Sequence, residues 1–433
     1  MKAMVVGGGG REHAIAWKLS ASRSIEKVYV APGNAGTATE PKITNIPISS
    51  DDIRGLAEFA KNNDIGLTVI GPEKPLVDGI VDRFNQMELR CLGPTKHAAK
   101  LEGSKAFAKE FMQRYQIPTA RYRAFNNSKD AVEYARKMDP PLVIKADGLA
   151  SGKGVYIANT LLEAEGAIRE ILDQNRFGTA GNLLIIEDFL IGEEISFICL
   201  VNNEQVLPLA TSQDHKARDA GNIGPNTGGM GAYSPALTSP DIHDRIMELV
   251  IRPTIMGLIE EGISYTGFLY AGLMIDKHGQ PYVLEYNCRS GDPETQPILM
   301  RLQSDLAELF AATLSGDLFQ MEVQWDPRVA LGVVMAAGGY PNDYTTGDTI
   351  VGLKEASHSN TKIFHSGTQL KGDKVVTNGG RVLCITALGD NVAAAQSAAY
   401  QSVRKIRWNQ AYCRSDIGYR ALEREHSNNS PSL

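Results

Sequence analysis

Short apolar runs and amphipathic stretches alternate along the first part of the chain. Residues 2–6 are an apolar run ending in Gly7, Gly8, Gly9 and Gly10, which reads as a strand and a tight turn. Residues 11–19 read as a helix, 27–31 as a second strand, and 67–70 as a third that ends in Gly71, Pro72 and Glu73. Helices fit at about 51–63 and 76–87. This alternation predicts a parallel, doubly wound sheet. Ligands bind such sheets at the carboxyl ends of the strands, where the glycines and Glu73 fall.

Further along the pattern changes. Residues 95–114 read as one helix with Gly103, Ser104 and Lys105 inside it. Residues 119–192 read as strand, helix, two strands, helix, strand. Glu193 and Glu194 open another strand, through residue 201. The span 241–261 carries Ile242, Ile246, Leu249 and Val250 at helical spacing, with a kink expected at Pro253. Residues 267–275 and 281–287 predict a hairpin. A last unit, from about residue 328, holds apolar runs at 331–336 and 379–386 and a helix near 391–405. The polar tail 426–433 is expected to be disordered.

Composition narrows the class. A chain of 433 residues is too long for one ordinary core, so about two to four domains are expected. The formal net charge of −6 argues against nucleic acid as the main partner. Five scattered cysteines (Cys91, Cys199, Cys288, Cys384, Cys413) form no C-x-x-C pair, which suggests reduced thiols in a cytoplasmic protein and no zinc site. No signal peptide is expected, and no apolar run approaches membrane-spanning length.

The first candidate chemistry lies at 141–155. The apolar run 142–144 reads as a buried strand, and Lys145 at its end should have an anionic partner. Gly148, Ser151, Gly152, Lys153 and Gly154 follow in a loop that suits a flap over a polyphosphate; a mobile hairpin turn is the plainer alternative. The loop is not a Walker A motif, because Gly154 stands where that motif needs a hydroxyl. A second signal is Glu285 and Asn287. Residues two apart on a strand face the same way, so these two can grip one cation through oxygen. Arg289 follows and can clamp a phosphate or carboxylate. Asp214 opens a long glycine-rich loop, 214–231, and could hold an amine; a structural Ω-loop is the alternative. Dinucleotide binding is poorly supported. Glu12 stands where the third fingerprint glycine should be, and the second strand ends without an acid. His13 reads as a packing residue rather than a base.

The ordered set GGREHA, APGNAGT, GPE-PL, LEGSK, VIKADGLA-GKGV, TSQDHK, GPNTGGMGAYSP, TGFLYAGLMID, GDPETQP and VTNGGRVL covers nearly the whole chain. It resembles the ATP-grasp ligases, and closely the phosphoribosylamine–glycine ligase family. One departure is Ser290, where that family usually shows an aromatic residue. The resemblance implies an α/β and α+β multidomain protein: an N-terminal doubly wound parallel sheet (1–103, for phosphoribosylamine), a central ATP-grasp fold (104–325, with a mobile subdomain at about 120–192) and a small C-terminal α+β domain (326–425). It implies that Lys105 and Lys145 contact ATP phosphates under the 148–154 loop, that Glu187, Asp188 and Phe189 line the adenine pocket, and that Glu194 holds the ribose. Glu285 and Asn287 would bind Mg2+, with Mn2+ able to substitute. Asp214, Arg289 and Gly291 would orient substrates, and Gly9, Gly10 and Glu73 would meet phosphoribosylamine. Catalytic roles fall to Arg289, Asp214 and Lys145. The expected reaction joins glycine to 5-phosphoribosylamine through glycyl phosphate, in a cytoplasmic monomer with no nucleic-acid or membrane partner. Three alternatives stay open: a carboxylase of the same superfamily, an NAD-dependent dehydrogenase, and a nucleotide-binding module without turnover.

Overall fold

The computed structural model describes residues 1–150, 153–236 and 239–429. The N-terminal strands form a five-stranded parallel sheet in the order Ile43–Asn45, Lys27–Pro32, Lys2–Gly7, Ile65–Ile70, Cys91–Leu92. Strands buried on both faces read as unbroken apolar runs, and Ala3, Met4, Val5 and Val6 are all fully buried. The two edge strands escape a reading by pattern because they are three and two residues long. The chain reverses direction of travel across the sheet beside Lys2–Gly7, so Gly7–Gly10 and Gly71–Glu73 lie together at the carboxyl ends.

Two expected helices are broken. The helix at 76–87 is two helices, Glu73–Asp78 and Ile80–Gln86, split at Gly79, whose φ of 98° a helix cannot hold. The helix at 95–114 breaks at Ser104, which is extended (φ −142°, ψ 115°) and accepts the Phe107 N–H on its Oγ. A serine that caps the next helix outcompetes continuation of the previous one. The span 241–261 holds Pro240–Ile246, one π-helical turn Met247–Ile251, and Arg252–Glu260. Pro253 follows directly on the π-helical turn, and its missing N–H removes one bond from the continuing helix.

The central sheet is antiparallel, in the order Gln205–Pro208, Glu193–Asn202, Thr266–Ile275, Pro281–Asn287. Alternate residues of one strand go to different cores. Ile195, Phe197 and Cys199 pack with Met4 and Leu56 of the N-terminal unit, while Ile198 and Leu200 pack with Ile15, Leu309 and Phe364. The N-terminal, central and C-terminal units therefore share buried apolar surface. Residues 119–192 follow the expected order of elements and form an antiparallel sheet, Tyr122–Phe125, Leu184–Asp188, Leu142–Ala146, Val155–Ala158. This lobe has its own buried cluster, drawn from residues 125–186.

The glycine-rich stretch after Asp214 is more ordered than an Ω-loop. Gln213–Asp214 and Gly231–Ser234 join Val329–Ala336, Arg381–Gly389 and Thr361–His365 in a five-stranded sheet, and Ala217–Asp219 pairs with Ile223–Asn226 between them. The expected disordered tail is corrected in part: helix Tyr419–Asn429 covers residues 426–429, and residues 430–433 lie outside the described residues. Arg424 anchors that helix on Glu193 and donates to the Tyr233 hydroxyl at 3.1 Å.

Because the lobe has a separate core, its stability can be perturbed alone. Ile186→Ala, at a fully buried position of that cluster, should cost about 2–5 kcal/mol. Hydrogen exchange should accelerate in amides 122–188 far more than in 266–287; equal acceleration in both would refute a separately cored lobe.

Candidate active site

A cavity of about 710 Å³ lies where the lobe, the central hairpin, the carboxyl ends of the N-terminal strands and the C-terminal sheet meet. The end formed with the lobe is built on paired charges. Lys145 Nζ donates to Glu187 Oε2 at 3.0 Å and to the Leu284 carbonyl at 3.1 Å, so the expected anionic partner is present. Lys105 Nζ reaches the Gly148 carbonyl at 3.1 Å, and burial pulls its pKa down. Asp188 is held by Arg121 Nε at 2.6 Å, and Phe189 is exposed at the rim. Glu194 forms an ion pair with Lys216. A Cβ on Gly148 would stand 2.8 Å from Ala180 Cα, so this glycine allows close packing at the base of the loop. Gly154 is buried beside Ala150 and Lys153 is exposed. Ser151 and Gly152 lie outside the described residues.

Glu285 and Asn287 lie on one face of the hairpin strand Pro281–Asn287, and both line the cavity. Burial disfavours the Glu285 carboxylate, but Lys216, Lys145, Lys105 and Arg289 outweigh it and hold its pKa at about 2. Lys216 Nζ lies 3.5 Å from Glu285 Oε1. Among the described residues no group of three or more His, Cys, Asp or Glu side chains could cage a metal. A carboxylate and an amide together fit a hard cation that keeps waters and takes phosphate oxygens as its other ligands.

The opposite end is acidic. Burial and then the neighbouring Glu294 raise the Asp214 carboxyl well above the usual range. Glu294 Oε1 accepts from Tyr270 at 2.6 Å and from Ser196 at 2.9 Å. Gly229 (φ 110°) passes beside Asp214, where a Cβ would stand 2.7 Å from Oδ1. Two carboxylates brought together this way suit a cationic amine. Gly291 packs against Glu294, which a Cβ there would approach to 2.5 Å.

Arg289 lies between two acids, with Nη2 2.8 Å from Glu102 Oε1 and Nε 3.5 Å from Glu73 Oε2. Burial lifts the Glu102 carboxyl to about 7, although Arg289 opposes it. Glu102 also accepts the Cys288 N–H at 2.7 Å. The Ser290 carbonyl accepts from Arg11 at 3.1 Å and from Arg289 at 3.3 Å, while its buried Oγ has no partner. The contact with Arg289 thus runs through the Ser290 backbone.

At the N-terminal turn, the Gly9 N–H donates to Glu12 Oε2 at 2.6 Å. Cβ atoms on Gly7 and Gly71 would stand 2.4 and 2.3 Å from Glu12 Cγ, so these glycines make room for that side chain. Gly10 is buried against Gln296, Ser366 and Asp292. His13 is buried; its Nδ1 accepts the His365 N–H at 2.9 Å and its Nε2 lies 3.2 Å from Glu40. It joins the N-terminal helix to the C-terminal sheet. Lys216, Glu102, Glu294 and Arg381 also line the cavity and fall inside the quoted motifs without having been given a role, and Lys109 lines it from outside any of them. Lys109 carried a signal, since it falls on the buried face of its helix with Ala108, Phe111 and Met112.

Three family profiles match in succession: Phosphoribosylglycinamide synthetase N domain over residues 1–102, ATP-grasp (A) domain over 103–295, and C domain over 330–420. The chain is 59% identical to a phosphoribosylamine–glycine ligase of Allochromatium vinosum over 428 residues, covering 99% of this chain and 100% of the relative. The chain belongs to the phosphoribosylamine–glycine ligase family. A relative of the same name from Escherichia coli is 56% identical over 99% of this chain and 100% of its own length. The crystal structure of such a ligase from Thermotoga maritima superposes with a TM-score of 0.83 at 36% identity, covering 96% of this chain and all of that one. A biotin carboxylase domain from Hydrogenobacter thermophilus shares the fold (TM-score 0.72, 15% identity, 95% of this chain and 91% of that one). Family membership makes the chain an ATP-dependent ligase and displaces the dehydrogenase and non-catalytic alternatives.

The junction beside the N-terminal turn makes a pH prediction. Burial opposes ionisation of Glu40, but hydrogen bonds from His13 and Lys362 hold its pKa down at about 2. A depressed carboxyl contributes stability above its unfolded pKa of about 4.5 and loses it as pH falls toward 2. The stability gap between wild type and Glu40→Gln, measured by urea unfolding, should be full above pH 4.5 and close toward pH 2. A gap independent of pH would refute the pairing.

Proposed function

We propose that the chain joins glycine to 5-phosphoribosylamine, using ATP, to give glycinamide ribonucleotide, ADP and phosphate on the purine route to inosine monophosphate. The observation that carries this reading is one cavity holding three kinds of site. Lys105, Lys145, Glu285 and Asn287 suit a metal-bound triphosphate, Asp214 and Glu294 suit an amine, and Arg289 suits a further anion. The cavity reaches the carboxyl ends of the parallel sheet, where Arg11, Pro72 and Glu73 line it; Gly9 and Gly10 stand behind that lining.

A carboxylate is a poor acyl donor, because its leaving group would be oxide. In the proposed first step a glycine carboxylate oxygen attacks the γ-phosphorus, ADP leaves, and glycyl phosphate forms. The phosphoribosylamine nitrogen then attacks the acyl carbon, phosphate leaves with the acyl oxygen, and the nitrogen loses a proton. Protein groups act by positioning and charge neutralisation. Lys105 and Lys145 meet the phosphates, Glu187, Asp188 and Phe189 the base, and Glu194 the ribose. Asp214 and Glu294 hold the glycine ammonium, with Gly291 giving Glu294 room. Arg289, fixed by Glu102 and Glu73, orients the reacting anions. Glu285 and Asn287 would hold Mg2+, or Mn2+, which when bound neutralises phosphate charge. The loop 148–154 would cover the phosphates and keep water from the acyl phosphate.

The proposed domains are 1–103, 104–325 with the lobe at about 120–192, and 326–425; the lobe's separate core supports the inner division. A cytoplasmic monomer without nucleic-acid partner is in keeping with five free cysteines and a net charge of −6. No described helix is long and apolar enough to cross a membrane.

If glycyl phosphate forms, ¹⁸O placed in the glycine carboxylate appears in the released phosphate. ADP release should need glycine and phosphoribosylamine together, and bicarbonate should not replace glycine. Label retained wholly in the amide product would exclude the acyl phosphate. For the metal pair, Glu285→Gln should raise the Mg2+ concentration for half-maximal ADP release on the order of tenfold or more, about 1.4 kcal/mol of binding. Its circular dichroism should match wild type. An unchanged Mg2+ dependence would remove Glu285 from the site.

A further inference from the structure

Lys109 lies on helix Lys105–Arg114 and is only 2% exposed. A buried ammonium needs partners, and it has three. Its Nζ donates to Thr119 Oγ1 at 2.7 Å and to the Ala120 carbonyl at 3.3 Å, and it lies 3.3 Å from Glu187 Oε2. Lys145 reaches the same Glu187 oxygen at 3.0 Å. Two ammonium groups thus share one carboxylate oxygen. Glu187 is itself 2% exposed, and its other oxygen, Oε1, is buried with no hydrogen-bond partner. Burial pulls the Lys109 ammonium down to about 8 against the field of Glu187, so it is charged at neutral pH.

Glu187 and Lys109 line the cavity beside the apolar side chains of Met112, Val143, Ile157 and Leu284. Apolar walls with one fixed polar atom are the usual build of a pocket for a flat heterocycle. The polar atom here is a carboxylate oxygen, an acceptor, whose partner Oε2 is held by the ammonium groups of Lys109 and Lys145. A carboxylate oxygen in that place accepts from an exocyclic amino group and repels a ring carbonyl. Lys145 lies beside the phosphate-binding loop and can exchange partners when a nucleotide enters. Lys109 is tied to Thr119 and Ala120 on the segment that leads into the lobe, so its hold on Glu187 does not depend on the phosphates.

We propose that Lys109 is a positioning residue for base selection: it pins Glu187 Oε2 so that Oε1 is kept as the acceptor for the 6-amino group of adenine. This rests on the reading that ATP occupies the cavity.

The test compares ATP with purine ribonucleoside triphosphate, which lacks the amino group, and with inosine triphosphate, which has a carbonyl there. ADP release, or that of the matching diphosphate, is followed with glycine and phosphoribosylamine. Wild type should favour ATP over both analogues by at least about tenfold in kcat/KM. In Lys109→Met the preference should shrink toward unity, with the loss mainly in KM for ATP, and Lys109→Arg should restore part of it. Glu187→Gln is an independent route if Lys109→Met folds poorly. The lysines would hold its amide oxygen and turn the NH2 to the old Oε1 position, so the ATP-to-inosine ratio should fall at least about tenfold. The proposal is overturned if Lys109→Met raises KM equally for all three nucleotides, since that is a bulk charge effect. It is also overturned if wild type uses ATP and the deamino analogue alike, although the ligase reading then stands. If no nucleotide supports product formation with both substrates, the ligase reading itself fails.

Discussion

The constraint on which the site depends is that charges crowded into one cleft must be paired. Lys145 and Lys109 share Glu187, Lys216 bridges Glu194 and Glu285, Arg289 stands between Glu102 and Glu73, and Arg381 pairs with Asp292. Lys109, Lys145 and Glu187 are buried, and removing one partner of a buried pair commonly costs about 3–5 kcal/mol, because the remaining charge is left uncompensated. The pairs are also incomplete. Glu187 Oε1 and Arg289 Nε are buried without a hydrogen-bond partner, and Asp214 and Glu294 repel one another. Anionic and cationic ligands would complete what the side chains leave open. Binding to such a site needs little reorganisation, because the groups are already held by their neighbours.

Holding that many charges in place requires a stiff frame, and the apolar cores supply it. The central sheet sends alternate side chains into two clusters that also take residues from the N-terminal unit, and the second takes Phe364 and Cys384 from the C-terminal sheet. The three units therefore resist moving separately. The lobe, with its own cluster, is the exception, and it carries Lys145 and Glu187 to the cleft. Thermodynamically this division separates the part that fixes Glu285, Asp214 and Arg289 from the part that can adjust over a nucleotide.

Much of this was legible in the chain. The order of elements in 119–192 follows from apolar runs bounded by Asn127 and Thr160, both helix caps with their side chains on the backbone. Glu285 and Asn287 were readable because strand periodicity puts them on one face. The glycines were misleading in part. Gly7 and Gly71 are small to admit Glu12, and the Gly9 N–H already has that carboxylate as its acceptor. Ser104 was missed because its capping hydrogen bond depends on where the previous helix stops. Glu102 and Glu294 could not be paired with Arg289 and Asp214 from sequence, because long chain separations hide such contacts.

The C-terminal unit shows why those separations matter. Its residues are distant in sequence from the N-terminal turn, yet they form one wall of the same cleft. His365 donates its backbone N–H to His13 and accepts from Asn34 on its carbonyl at 2.8 Å, so one strand end fixes both loops of the turn. Ser366 packs on Gly10. Arg381 donates to the Asp292 carbonyl at 2.6 Å and to the Gly228 carbonyl, which ties the segment after Arg289 to the loop after Asp214. These bonds link backbone groups of separate segments through side chains, so small displacements of the C-terminal sheet would reach both the amine end and the anion end. The C-terminal unit therefore belongs to the cleft's architecture and is more than an appendage to the nucleotide fold.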